Sequence, residues 1–162
     1  MTQNVQLCAE IDLSALQALL GEYGLKVVML PDGADIPGSY WGAPEAGLVL
    51  DTLYIRPDTP THSALHEAGH WICMDDARRA KLHTDAGGTV LEECAVNYLQ
   101  ILLAGALPDV GREQMLRDMT TWGYSYREGS VYAWLEGDAA DAIAWLQQRG
   151  LIDAQRQRIT HR

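Results

Sequence analysis

The chain has 162 residues, 48% of them hydrophobic, which suits one ordinary domain with a core of its own. Its formal net charge of −10, from 12 Lys+Arg against 22 Asp+Glu, argues against binding a phosphate backbone, so no nucleic acid is expected among its partners. Cys8, Cys73 and Cys94 are an odd number without CxxC spacing and read as free thiols of a reducing compartment; MTQNVQLCAEIDL lacks the basic start of a signal peptide, and no apolar run reaches the roughly 18–20 residues of a membrane span. A cytoplasmic protein without a membrane partner is the expectation.

The acid is unevenly spread. Residues 1–76 carry eleven acidic residues against Lys26 and Arg56 alone, whereas residues 77–162 are nearly balanced. A site in the first half would sit in a negative field, which favours a cationic substrate, although solubility alone also explains acidic surfaces.

In chain order, DLSALQALLGEY (12–23) spaces Leu13, Leu16, Leu19 and Leu20 as a helix, with Asp12 to cap it and Gly24 to stop it. Lys26–Leu30, Ser39–Gly42, Gly47–Leu50 and Thr52–Arg56 read as short strands, and the intervals between them predict mainly antiparallel pairing. After Arg56 nearly everything reads as helix. Thr59 and Pro60 start a helix running to about Met74; the polar loop DDARRAKLHTDAGG follows; a second helix spans about Thr89 to Ala104, with Cys94, Ala95, Tyr98, Ile101 and Leu102 as its inner face. Further helices are expected at Arg112–Trp122, Ser130–Leu135 and Asp138–Arg149, and the tail from about 151 to 162 is polar and expected to fray. This is an α+β chain, read as one domain over 1–162, whose small antiparallel or mixed sheet of three to four strands packs on the first long helix.

That helix carries His66-Glu67-Ala68-Gly69-His70. Residues four apart are neighbours on one helical face, so His66 and His70 can grip one ion. Glu67 lies about 100° round the helix, off the ligand line but beside a water on that ion. Zinc lowers the pKa of its water to about 7, and a neighbouring carboxylate can take the proton as the water attacks a carbonyl. Two histidines one turn apart also arise by chance. Here the flanking Ala64, Leu65, Ala68, Trp71 and Ile72 are apolar, so the segment is expected to be buried, where two histidines and a glutamate need a metal or hydrogen-bonding partners. Gly69 lowers helix propensity by roughly 1 kcal/mol relative to alanine, which points to a close packing partner.

A catalytic zinc takes three protein ligands and leaves a place for water. Asp76 stands six residues after His70, where longer HExxH patterns place a ligand, but the glycine that turns the chain back in those patterns is Cys73 here. His83 lies in the polar loop. Glu92 and Glu93 are the carboxylates of an otherwise apolar helix, LEECAVNYLQILL, and helical phase favours Glu93: Asn97, one turn on, could orient a ligating histidine, whereas Glu92 is followed by Val96. Glu92 reads more simply as a solvated residue at a helix start. Tyr124, Tyr126 and His83 are the candidates to stabilise an oxyanion, and each is also readable as structural.

HEAGH on one helix, with Glu93 and Asn97 on the next, resembles the gluzincin type of zinc metallopeptidase. Over about residues 47–105 the chain is similar to small cytosolic bacterial zincins of the ImmA/IrrE kind. The resemblance implies a zincin-like fold, one zinc held by His66, His70 and Glu93, Glu67 activating the zinc-bound water, and a peptide or protein substrate bound as an extended strand along a sheet edge. It implies an alternative as well: a zincin-fold regulatory or interaction protein that keeps a metal site with little or no turnover and acts through a partner such as a repressor. A deformylase-like amidase is disfavoured, because the one cysteine upstream of HEAGH, Cys8, precedes the first helix.

Overall fold

A computed structural model describes residues 5–39, 44–80, 89–124 and 131–159. After a 3-10 turn at Cys8–Glu10, helix α1 (Leu13–Gly21) starts where the Asp12 carboxylate accepts the amide protons of Ser14 and Ala15. It buries Leu16, Leu19 and Leu20, and Gly24, at φ +90°, turns the chain into the sheet.

The sheet has three strands, β1 (Lys26–Met29), β2 (Gly47–Val49) and β3 (Thr52–Ile55), in the order β1-β3-β2. β2 and β3 pair antiparallel across a tight turn in which Leu50 adopts φ +54°, while β1 pairs parallel with β3. The sheet is therefore mixed, one of the two forms expected from the sequence, with one antiparallel and one parallel pair instead of mainly antiparallel ones. The reason lies in residues 30–46, which are long enough to carry the chain past the place that β3 fills when it doubles back from β2. Of the expected strand at Ser39–Gly42, residues 40–43 lie outside the described residues. β3 buries Leu53 and Ile55 on the face that receives the next helix, and Thr52 and Tyr54 alternate outward.

Helix α2 (Thr61–Cys73) packs on β2, β3 and, above all, α4 (Val90–Gly105). Pro60 rather than Thr59 occupies its cap position, and the Thr59 hydroxyl accepts the Arg56 amide proton instead. The Trp71 indole N–H donates to the Leu50 carbonyl at 2.8 Å and fastens α2 to the β2–β3 turn. Between them lies the short helix α3 (Asp76–Arg79), capped by Asp75. α4 also packs on α5 (Gly111–Trp122) and α7 (Ala140–Gln148), with α6 (Val131–Gly137) against α5. Of the inner face expected for α4, Ala95, Tyr98 and Ile101 are buried and Cys94 and Leu102 are half-buried.

Residues 151–159, expected to fray, are instead fastened to the body. Ile152 bridges Arg158 and is buried, and the Arg158 guanidinium reaches the Tyr23 hydroxyl at 3.0 Å, so an apolar anchor outweighs the polar composition. No helix among the described residues is long and apolar enough to cross a membrane.

Candidate metal centre

Two consecutive turns of α2 bring the His66 and His70 imidazoles together at 4.8 Å between ring centroids. Glu93, in the first turn of α4, faces both: one carboxylate oxygen lies 3.4 Å from His66 Nε2 and the other 2.9 Å from His70 Nε2. Donors about 2 Å from one ion at tetrahedral angles stand roughly 3–3.5 Å apart, and Glu93 stands at about that spacing from each histidine. His66, His70 and Glu93 form the one such group among the described residues, with ligand atoms all within 4.8 Å of one another.

The approach of α4 to α2 depends on Gly69. A Cβ there would stand 2.9 Å from Val96 Cγ1, so any larger residue requires Val96 or its helix to shift.

Behind the triad, Gln100 sets the chemistry of His66. Its amide nitrogen donates to the His62 carbonyl at 3.2 Å, an atom that can only accept, which turns Oε1 towards His66 Nδ1 at 3.0 Å. His66 Nδ1 therefore carries a proton, which leaves Nε2 as the atom that could bind a metal. Gln100 is fully buried. The role expected of Asn97 falls to this residue one turn further along the same stripe, because the Asn97 amide oxygen is buried without a hydrogen-bond partner among the described residues and bonds no histidine. Gln100 was visible in the sequence as the polar residue seven positions after Glu93, in an otherwise apolar run.

The other candidate ligands lie elsewhere. Asp76 is fully exposed and pairs with Arg79 at 3.5 Å: α2 ends at Cys73, Met74 is extended, and Asp75 caps a new helix that turns Asp76 to solvent. Glu92, expected to be solvated, is buried and paired with Arg78 at 2.9 Å, because the 100° step between neighbours sends it to the opposite flank of α4 from Glu93. His83 and Tyr126 lie outside the described residues.

Beside the triad opens a cleft of about 180 Å³. Its floor is the α2 surface from His62 to Glu67, and Trp122 and Tyr124 wall it from the end of α5. Gly123, at φ +100°, ends α5, and the Tyr124 amide bonds back to the Met119 carbonyl at 3.0 Å, which fixes where the tyrosine leaves the helix. The Tyr124 hydroxyl lies 3.1 Å from His62 Nδ1 and accepts from Gln100 Nε2 at 3.4 Å, and its ring meets His66 edge-on at 5.8 Å. His62, one turn before His66, completes a stripe of three histidines that the sequence displays and whose first member sequence reasoning passed over.

The charges follow from burial. Desolvation pushes the Glu67 carboxyl above its ordinary range, against the pull of His66 and His70, which makes it a stronger base than a solvated glutamate. Burial, with His66 adding, holds His62 down at about 3, so it is neutral at physiological pH. Burial alone would discharge His66, but its hydrogen bond to Glu93 and the fields of Glu67 and Glu93 outweigh burial and raise its pKa. Glu93 moves the other way: burial would raise it, and the bonds to both histidines hold it far below the carboxylate range.

The arrangement could hold one metal ion with three protein ligands and presents a half-buried carboxylate to a cleft. Compared with known proteins, the chain matches no protein-family model, no curated protein and no solved structure.

Proposed function

We propose that the protein is a zinc-dependent metallohydrolase of zincin type, acting on peptide bonds. The observation that carries this reading is the convergence of His66, His70 and Glu93, with Glu67 half-buried one residue from a ligand and lining the cleft. Two imidazoles and one carboxylate are a donor set suited to zinc, which when bound supplies Lewis-acid polarisation of a carbonyl and of the attacking water. Glu67 takes the proton of that water and passes it to the leaving amine. Gln100 keeps His66 in the tautomer that offers Nε2. Partial burial of the base keeps its pKa above that of a solvated carboxylate.

An extended peptide as substrate is supported by the position of β2, an edge strand whose entry, Glu45 and Ala46, lies against α2: the Ala46 amide donates to the Ser63 hydroxyl at 3.0 Å. Glu67, half-buried beside the ligands, favours turnover over a purely regulatory metal site, since a structural ion has no use for a base beside it. The test is metal content and hydrolysis in protein purified without chelator. Wild type should hold one zinc, Glu67→Gln should keep it and lose cleavage of a peptide library, and His66→Ala and Glu93→Gln should lose the metal. Stoichiometric zinc in both of those last variants would overturn the ligand assignment.

A further inference from the structure

We propose that Glu45 is the specificity-determining residue of this site and selects substrates with a cationic group, a basic side chain or a free amine, beside the reacting carbonyl; this rests on the hydrolase reading above.

Glu45 comes from the segment before β2, distant in sequence from both site helices, and lines the cleft together with Glu67. Ser63 holds it there. The serine oxygen accepts the Ala46 amide proton, so its own proton is available to the Glu45 carboxylate, and Ser63 stands one helical turn before His66 and Glu67. The carboxylate is thus aimed by a buried hydroxyl on the same helix that carries the base and two ligands.

No lysine or arginine lines the cleft among the described residues. The two bases of the N-terminal half are engaged elsewhere, Lys26 with Asp51 at 3.5 Å and Arg56 with Asp58 at 2.7 Å. Among the described lining residues Glu45 therefore faces no lysine or arginine, and a cationic ligand is the group that would supply its counter-charge. Partial burial disfavours the Glu45 charge, and a cation entering beside it relieves that cost. The cleft is also lined by Trp122 and Tyr124, aromatic residues of the kind that a cationic head and an apolar stem both favour. A volume of about 180 Å³ admits one side chain rather than a folded segment.

The test uses zinc-loaded full-length protein and hydroxamates, which report on the site without turnover. Binding of lysine, Nα-acetyl-lysine, norleucine and Nα-acetyl-norleucine hydroxamates is measured by calorimetry, with zinc content determined in parallel. At least one singly cationic probe should bind about tenfold more tightly than the neutral Nα-acetyl-norleucine form, as expected for a charge-assisted hydrogen bond. Preference for Nα-acetyl-lysine identifies the side chain as the source, and preference for norleucine identifies the free amine. Glu45→Gln, which keeps the Ser63 contact, should erase the preference while zinc content and far-UV circular dichroism stay unchanged. Equal binding of all four probes, or a preference that survives Glu45→Gln, overturns the role of Glu45 with the metal site intact. Absence of zinc together with absence of all hydroxamate binding overturns the hydrolase reading and this inference with it.

Discussion

The metal triad and the cleft beside it are built by different means. The triad comes from two helices pressed together along their length, where Gly69 lets Val96 approach and every donor sits on a regular stripe: His66 and His70 on α2, Glu93 and Gln100 on α4. The cleft is assembled from the ends of elements, with Glu45 entering β2 and Tyr124 leaving α5, and each is positioned by local hydrogen bonds. Geometry that depends on core packing is rigid and intolerant of volume changes. Geometry that depends on element ends can change in chemistry while the helices stay where they are.

The largest effect should fall on the helical half. Replacing His70 by alanine should weaken zinc binding by more than about 100-fold, beyond the range for residues that only support a ligand; equilibrium dialysis checks it, and retention of near-native affinity would remove His70 from the site. Gln100→Ala should weaken zinc by about 10–100-fold without abolishing it, because His66 loses the partner that fixes its tautomer. An affinity as low as that of the His70 variant would instead mean that Gln100 holds the helices together, which urea denaturation of the metal-free protein would reveal.

Zinc affinity should also fall with acidity, and the sign follows from His66. Its pKa is raised above the ordinary value of 6.5, zinc takes the neutral imidazole, and so each pH unit below the raised value should weaken binding by about tenfold per proton released. Calorimetry in buffers of different ionisation enthalpy counts those protons; none released near pH 6 would contradict the assignment.

A smaller effect tests the helix contact itself. Gly69→Ala gains helix propensity but drives a methyl into Val96, for a net destabilisation of about 1 kcal/mol. In a Val96→Ala background the same change should become stabilising; a sign that does not reverse would mean that the close approach is not what selects glycine. The smallest effect should come from the cleft. Tyr124→Phe removes a hydroxyl that bonds His62 and Gln100, and should cost about 1 kcal/mol in denaturant while zinc affinity changes only a few-fold. A much larger fall in hydrolysis than in zinc affinity would show that this hydroxyl touches substrate.

The comparison also explains what could be read from the letters. HEAGH and the phase that separates Glu93 from Glu92 were legible because a helix converts spacing into direction without outside help. Gln100 was legible by the same rule and was missed only because the stripe was followed for one turn past Glu93 instead of two. The strands at Gly47 and Thr52 were legible too, but not their order, since pairing depends on the path of residues 30–46 and not on the strands' own pattern. The polar composition of 151–159 hid the burial of Ile152.

The sequence by itself determined that His66 and His70 share one helix face with Glu67 beside it, that a second helix brings a carboxylate in the right phase, and that the first half is acidic. Only the tertiary structure decided that Glu93 meets both histidines, that Asp76 turns to solvent, and that Glu45 and Tyr124 close on the same cleft. The physical reason is range: a 3.6-residue repeat fixes neighbours within one helix, whereas contacts between α2, α4, the entry to β2 and the end of α5 exist only once the core has packed.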